Sequence, residues 1–233
     1  MEQFVLETSS FITLFTYIFG AFILAMVLTP LLTYFLYKYR AWQTAKEEDI
    51  TGEKAEHYYK LHKGKHERNI PTMAGVLIWG VTLIVTLFFN FSRAQTLLPL
   101  FVLVSVGILG LVDDYLNIRG VGKIKGIRMR TKLIWLVIFA AVGAWWFYYK
   151  LGWNSLHIPG VGDFAIGWWY IPLFIFMIVA TSNAVNITDG LDGLAGGLSI
   201  FAFGAFAAIA IFQGNYGIAY FCATLVGALL AYT

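Results

Sequence analysis

Polar residues interrupt this chain at long intervals, and seven apolar runs lie between them. They are Phe11–Tyr37, Pro71–Phe89, Leu97–Val112, Leu133–Tyr149, Trp168–Val185, Leu194–Phe212 and Gly217–Tyr232. A membrane-spanning helix needs about 20 apolar residues, and each run meets or approaches that length. In lipid the backbone must satisfy its own hydrogen bonds, so such runs fold as helices. The pattern predicts an all-α polytopic membrane protein, a single transmembrane domain over 1–233 with about seven transmembrane helices. One stretch, 150–167, breaks the pattern. Leu156-His157-Ile158 and Phe164-Ala165-Ile166 flank Pro159-Gly160-Val161-Gly162-Asp163, which predicts a small β-hairpin between two spans.

Composition removes the soluble alternatives. The chain is 59% hydrophobic and 12% charged, where soluble domains carry about 25% charged residues. Its mean hydropathy is +0.73. There is too little polar surface to cover a water-soluble globule. Cys222 is the single cysteine, which excludes an internal disulfide and a cysteine metal cluster. Glu2 and Glu7 stand where a cleaved signal would be basic, and the first apolar run is too long for one, so that run is expected to stay as an anchor.

The cationic residues orient the spans. Eight of the 16 Lys and Arg, from Lys38 to Arg68, lie between the first two runs, and six, from Arg119 to Lys132, between the third and fourth. Arg93 and Lys150 fall in loops that alternation puts on the other side. The positive-inside rule then makes the crowded side cytoplasmic, the N-terminus external and Thr233 internal. The 38–70 loop carries both signs, and its His57, His62 and His66 read as solvated side chains rather than a zinc site. On the outer side the hairpin is periplasmic, and Trp145-Trp146-Phe147-Tyr148-Tyr149 and Trp168-Trp169-Tyr170 form an interfacial belt. No nucleic-acid partner is expected.

This topology brings Asp113 and Asp114, in a cytoplasmic loop over 113–132, to the same membrane face as Asp189 and Asp192, in a cytoplasmic turn over 186–193. An Asp at the centre of a spanning helix costs roughly 2.5–3.5 kcal/mol, so such residues are placed at interfaces and given partners. Adjacent carboxylates repel unless a cation or proton intervenes. Oxygen ligands without cysteine suit Mg²⁺, which takes one or two carboxylates plus substrate phosphates. With the neighbouring Lys and Arg, this set points to phosphoryl or diphosphate chemistry. In Asn183-Ala-Val-Asn186-Ile-Thr-Asp189-Gly-Leu-Asp192-Gly-Leu194, polar residues recur every third position. Continuous helix would turn Asn183 and Asp192 nearly opposite ways, whereas a break at Gly190 and Gly193 could gather them at a wet cavity.

Pro71-Thr-Met-Ala-Gly75, Leu111-Val-Asp-Asp-Tyr-Leu116 and the Asn183–Leu194 segment, in this order and spacing, resemble the phospho-N-acetylmuramoyl-pentapeptide transferases of the polyprenyl-phosphate hexosamine-1-phosphate transferase superfamily. The similarity runs from about Phe11 to the end of the chain. The resemblance implies transfer of phospho-MurNAc-pentapeptide from UDP-MurNAc-pentapeptide to undecaprenyl phosphate with Mg²⁺, giving lipid I and UMP at the cytoplasmic face of the bacterial inner membrane. It implies that Asp113 deprotonates the lipid phosphate and that Asp114 supports the site. Asn186 and Asp189 would sit near the metal and diphosphate, Asn183 would bind substrate, and Asp114 and Asp189 would be metal ligands. Gly190, Leu191 and Asp192 would line a uracil pocket, and Lys132 would stand near the phosphates. A homodimer is left open, as are direct attack and a covalent enzyme intermediate.

Three departures accompany the resemblance. Asn117 stands where the family usually has Lys three residues after the Asp pair, and Lys123 or Lys125 is the candidate substitute. Glu67-Arg68-Asn69-Ile70 replaces a Lys-rich lead, with Arg68 in the place of Lys. The family has about ten spans and a further metal-binding Asp that should follow Thr233, so the chain is expected to be an inactive fragment of a longer reading frame. Other functions compatible with these residues are those of a related transferase using UDP-GlcNAc, an Asp-rich intramembrane prenyltransferase and an ion-coupled transporter. Asp113-Asp-Tyr-Leu-Asn117 lacks the closing Asp of a prenyltransferase motif. A surface position for the carboxylates counts against a midplane transport site.

Overall fold

The structure, a computed structural model, describes residues 8–42, 71–119, 129–158, 160–189 and 193–233. The described helices are α1 (Thr8–Lys38), α2 (Gly75–Phe89), α3 (Leu97–Arg119), α4 (Met129–Trp145), α5 (Tyr170–Thr188), α6 (Leu194–Phe212) and α7 (Tyr216–Tyr232). Strands β1 (Ser155–Ile158) and β2 (Gly162–Ala165) lie between α4 and α5. The polytopic helical membrane fold and its small hairpin are therefore as the hydropathy pattern predicts. Five helical segments are long and apolar enough to cross a membrane, α4 only together with the π-helical turn that carries it to Lys150 and α5 together with the turn that starts at Gly167, while α2 and α7 are shorter. At 15 and 17 residues and a rise of about 1.5 Å per residue, these two fall short of a hydrocarbon core of about 30 Å.

The chain divides into two compact units, Met1–Gly126 with Gly196–Thr233, and Ile127–Ala195. In the first, the two short helices are the central ones. α7 packs along α1, α2 packs on both, and α3 lies on α2. Lipid tails are as apolar as leucine, so burial of apolar surface does not drive helices together in a bilayer; close packing and hydrogen bonds do. α7 carries small residues every fourth position, Ala219, Ala223, Gly227 and Ala231. Gly227 sits directly against the Ile18 carbonyl of α1, where any Cβ would collide, and the same Cβ would be 3.0 Å from the Ala21 methyl. Around this approach Ala21, Ala25, Leu77, Val81, Val85 and Ala228 form one buried cluster. Leu100, Ala207, Phe221, Cys222 and Leu225 form a second, which brings in α3 and α6.

One end of this unit is tied by polar groups. Asn90 ends α2, its N–H donating to the Thr86 carbonyl at 3.0 Å. Its side-chain Nδ2 donates to the Gly217 carbonyl at 2.8 Å, and the Gly217 N–H donates to Gln95 Oε1 at 2.7 Å. The Thr96 hydroxyl is wholly buried. It accepts from the Ser92 N–H at 2.8 Å and donates to the Asn90 carbonyl at 2.9 Å. Tyr17 adds α1 by donating to the Phe89 carbonyl at 2.7 Å. These bonds satisfy the peptide groups at the α2–α3 turn and the start of α7. Asn90→Ala and Gln95→Ala are each expected to cost about 0.5–1.5 kcal/mol, read as a lower unfolding midpoint in detergent, whereas Asn215→Ala, outside this network, should change little.

The second unit is an antiparallel helical pair capped by the hairpin. Gly143 of α4 lies under the Phe174 ring of α5, where a Cβ would come to 3.2 Å. Phe147, in the single π-helical turn Trp146–Lys150 that follows α4, packs against the same ring with the centroids 5.2 Å apart and the planes tilted by 35°. The C-terminal end of α4 thus meets the first turns of α5. β1 and β2 pair antiparallel, Leu156 opposite Phe164 and His157 opposite Asp163. The second strand begins at Gly162, earlier than the apolar run suggests. The Val161 N–H closes a tight turn onto the Ile158 carbonyl at 3.0 Å, so pairing resumes at once. Gly160 and Gly162, at φ +81° and +123°, supply backbone conformations that side chains with a Cβ rarely adopt.

Candidate functional site

α3 runs on past its apolar stretch to Arg119. Asp113 and Asp114 are therefore on helical backbone rather than in a loop over 113–132. The reason is local: Leu116 is a good helix former, and no Gly or Pro intervenes before Gly120. Successive residues of an α-helix point about 100° apart. The two half-buried carboxylates thus leave the helix in different directions and are suited to different partners.

The second unit carries Lys132, Asn183, Asn186 and Asp189. Lys132 is exposed within the first turns of α4. α5 continues regularly through Asn183 and Asn186 to Thr188, whose hydroxyl donates back to the Ala184 carbonyl at 2.7 Å. Asp189 ends the helix at φ −72°, ψ 9°, its N–H on the Val185 carbonyl at 3.1 Å. Gly193 follows at φ +77°, and α6 starts at Leu194. The break between the two apolar helices thus begins at Asp189, leaving Asn183 and Asn186 on unbroken helix and Asp189 exposed at its end. Because α4 and α5 are antiparallel, Lys132 lies at the same end of the pair as Asn186 and Asp189. Arg68, Gly190, Leu191 and Asp192 lie outside the described residues, as do His57, His62, His66, Lys123 and Lys125.

The Pro71–Gly75 segment has a geometry that its sequence does not announce. Pro71 forms a bridge with Trp42, and the Thr72 N–H donates to the Ala41 carbonyl at 2.7 Å. This clip joins the chain just after α1 to the chain just before α2. On its two sides Arg40 and Met73 hold φ of +52° and +70°. Non-glycine residues in this left-handed region carry strain of order 1–3 kcal/mol, which the surrounding structure has to hold. Neither residue type signals such a conformation, as Gly or Asn would. Among the described residues, no three His, Cys, Asp or Glu side chains come together as a metal cluster.

Residues 96–233 match the model of glycosyl transferase family 4. The chain belongs to that family. The matched residues include Asp113, Asp114 and Asp189. Similar full-length relatives extend the likeness upstream. A phospho-N-acetylmuramoyl-pentapeptide-transferase of Geobacillus thermodenitrificans is 38% identical over 218 residues, 91% of this chain and 63% of that protein. One of Bacillus subtilis is 37% identical over 229 residues, 95% of this chain and 66% of that protein. The resemblance read from the three motifs is borne out by these relatives. The chain spans just under two thirds of their length.

Proposed function

We propose that this chain carries membrane-embedded residues of a phospho-N-acetylmuramoyl-pentapeptide transferase. It would move phospho-MurNAc-pentapeptide from UDP-MurNAc-pentapeptide to undecaprenyl phosphate in the bacterial inner membrane, at its cytoplasmic face. The observation that carries this reading is identity of 34–38% over at least 91% of the chain to relatives of that name. In the proposed reaction Asp113 takes the proton of the lipid phosphate. The freed oxygen then bonds to the β-phosphorus of the nucleotide sugar, the bond from that phosphorus to the bridging oxygen breaks, and UMP leaves. Lys132 offsets negative charge on the phosphates, Arg68 assists it, and Asn183 and Asn186 offer amide hydrogen bonds. Gly190, Leu191 and Asp192 are proposed to receive the uracil.

Mg²⁺ is part of this proposal. Asp114 and Asp189 are each proposed as a carboxylate ligand. The donor set is oxygen only, and Mg²⁺ characteristically takes one or two carboxylates and completes its shell with substrate oxygens and water. A three-residue protein cluster is therefore not a requirement. When bound, the ion would neutralise diphosphate charge.

The test is UMP release by the full-length product of the gene that encodes this chain, in phospholipid vesicles with undecaprenyl phosphate. Release is expected with UDP-MurNAc-pentapeptide, lost with EDTA and regained with Mg²⁺. Release from UDP-GlcNAc alone would transfer the protein to another branch of the superfamily, and pyrophosphate in place of UMP would defeat the proposal.

A further inference from the structure

The hairpin has two chemically different faces. Paired residues of antiparallel strands project together, and successive pairs alternate between faces. The pairs Leu156–Phe164 and Ile158–Gly162 therefore define one face, and His157–Asp163 and Ser155–Ala165 the other. On the polar face His157 Nδ1 and Asp163 Oδ1 are 2.7 Å apart, with side chains 67% and 73% exposed. On the opposite face Leu156, Ile158 and Phe164 also stay exposed, at 38%, 40% and 45%. Three large apolar side chains on a hairpin of two four-residue strands, open to water, would be an aggregation liability.

The base of the hairpin is held close to both helix ends. The Trp153 N–H donates to the Phe147 carbonyl at 3.1 Å, and the Asn154 carbonyl accepts from the Ile166 and Gly167 N–H groups at 2.9 and 3.0 Å. Exposed aromatic rings crowd that base: Trp145, Trp146, Tyr149, Trp153 and the stacked pair Trp168–Trp169. Such rings mark the headgroup level of a bilayer. Strands of four residues extend about 13 Å, longer than a headgroup layer of roughly 5–8 Å. A hairpin that starts at this level and has one apolar face meets the least unfavourable solvent by lying down along the interface.

We propose that the Leu156–Ile158–Phe164 face docks on phospholipid at the acyl–headgroup boundary of the leaflet beside the ends of α4 and α5. By the Lys and Arg distribution this is the outer leaflet. The His157–Asp163 face turns to water. The hairpin is then an interfacial clamp that continues the aromatic belt, and its partner is the lipid surface rather than a protein.

The experiment is a nitroxide scan of the chain in phosphatidylethanolamine–phosphatidylglycerol vesicles. Cys222 is the only cysteine and is replaced by Cys222→Ala. Labels are then placed singly through Leu156→Cys, His157→Cys, Ile158→Cys, Asp163→Cys and Phe164→Cys. Collision with oxygen should exceed collision with a water-soluble nickel chelate severalfold at 156, 158 and 164, and the order should reverse at 157 and 163. A doubly labelled 156/164 sample should show strong dipolar broadening, since directly paired residues have Cβ atoms roughly 4.5–5.5 Å apart; this establishes that the hairpin is formed. Nickel access at all five sites would place the hairpin in water and overturn the proposal. Exclusion of both reagents at 156, 158 and 164 would also overturn it, by showing a protein partner or a second copy on that face.

Discussion

Asp113→Asn is expected to lower the rate of UMP release about 10²–10⁴-fold, the usual contribution of a positioned general base. The amide keeps the size and most of the hydrogen-bonding reach of the carboxylate, so α3 should remain intact, but it cannot take a proton from the lipid phosphate. The loss should fall on kcat more than on KM and should not respond to added Mg²⁺. Asp114→Asn should behave differently. The two side chains leave α3 about 100° apart, so they cannot serve interchangeably, and a lost metal ligand is partly offset by raising the Mg²⁺ concentration. Steady-state kinetics of both variants across a Mg²⁺ series separates the roles. An Asp113→Asn enzyme within a few-fold of the parent, or two variants with the same Mg²⁺ response, would remove this assignment.

The second large effect is structural. Gly227→Leu should destabilise the first unit by at least about 1–3 kcal/mol, the range for overpacking a filled site. The obstacle is backbone rather than a movable side chain: the added Cβ would run into the Ile18 carbonyl of α1. To admit it, α1 and α7 must separate along the seam that Ala21, Ala25 and Ala228 make close. In a bilayer no hydrophobic driving force restores the lost contact, because lipid tails can cover the parted surfaces. Gly204→Ala is the matched control, since a Cβ there meets nothing within 4 Å and alanine is the better helix former. Thermal unfolding in one detergent should show a clear drop for the first variant and none for the second. Equal midpoints would mean that α1 and α7 do not approach as described.

Much of this was legible in one dimension because lipid is so restrictive a solvent. A peptide group left unpaired in hydrocarbon costs several kcal/mol, so an apolar run is nearly committed to helix before any tertiary contact forms. Leu194–Phe212 begins and ends where its apolar run does. The hairpin was readable for a related reason: its glycines sit at left-handed positions between short alternating segments. Helix ends were less legible. α3 outlasts its apolar run by seven residues, to Arg119, because helical backbone tolerates Asp113 and Asp114 even though hydropathy counts them as a stop. Of the candidate site, the motifs marked Asp113, Asp114 and Asp189 by type and spacing. Their backbone settings, two on continuous helix and one at a helix end, were not written there.

The sequence by itself determined that this is a polytopic helical membrane protein, where its apolar helices lie and which carboxylates its family motifs contain. Those properties depend on residue type and local order. The tertiary structure alone decided that the short α2 and α7 lie centrally in their unit, that Gly227 is the point of closest approach to α1, that Asn90 and Gln95 hold Gly217, and that Met73 is left-handed. These depend on shape and on hydrogen-bond partners more than 120 positions apart, and among helices of nearly uniform hydropathy no one-dimensional pattern distinguishes one packing partner from another.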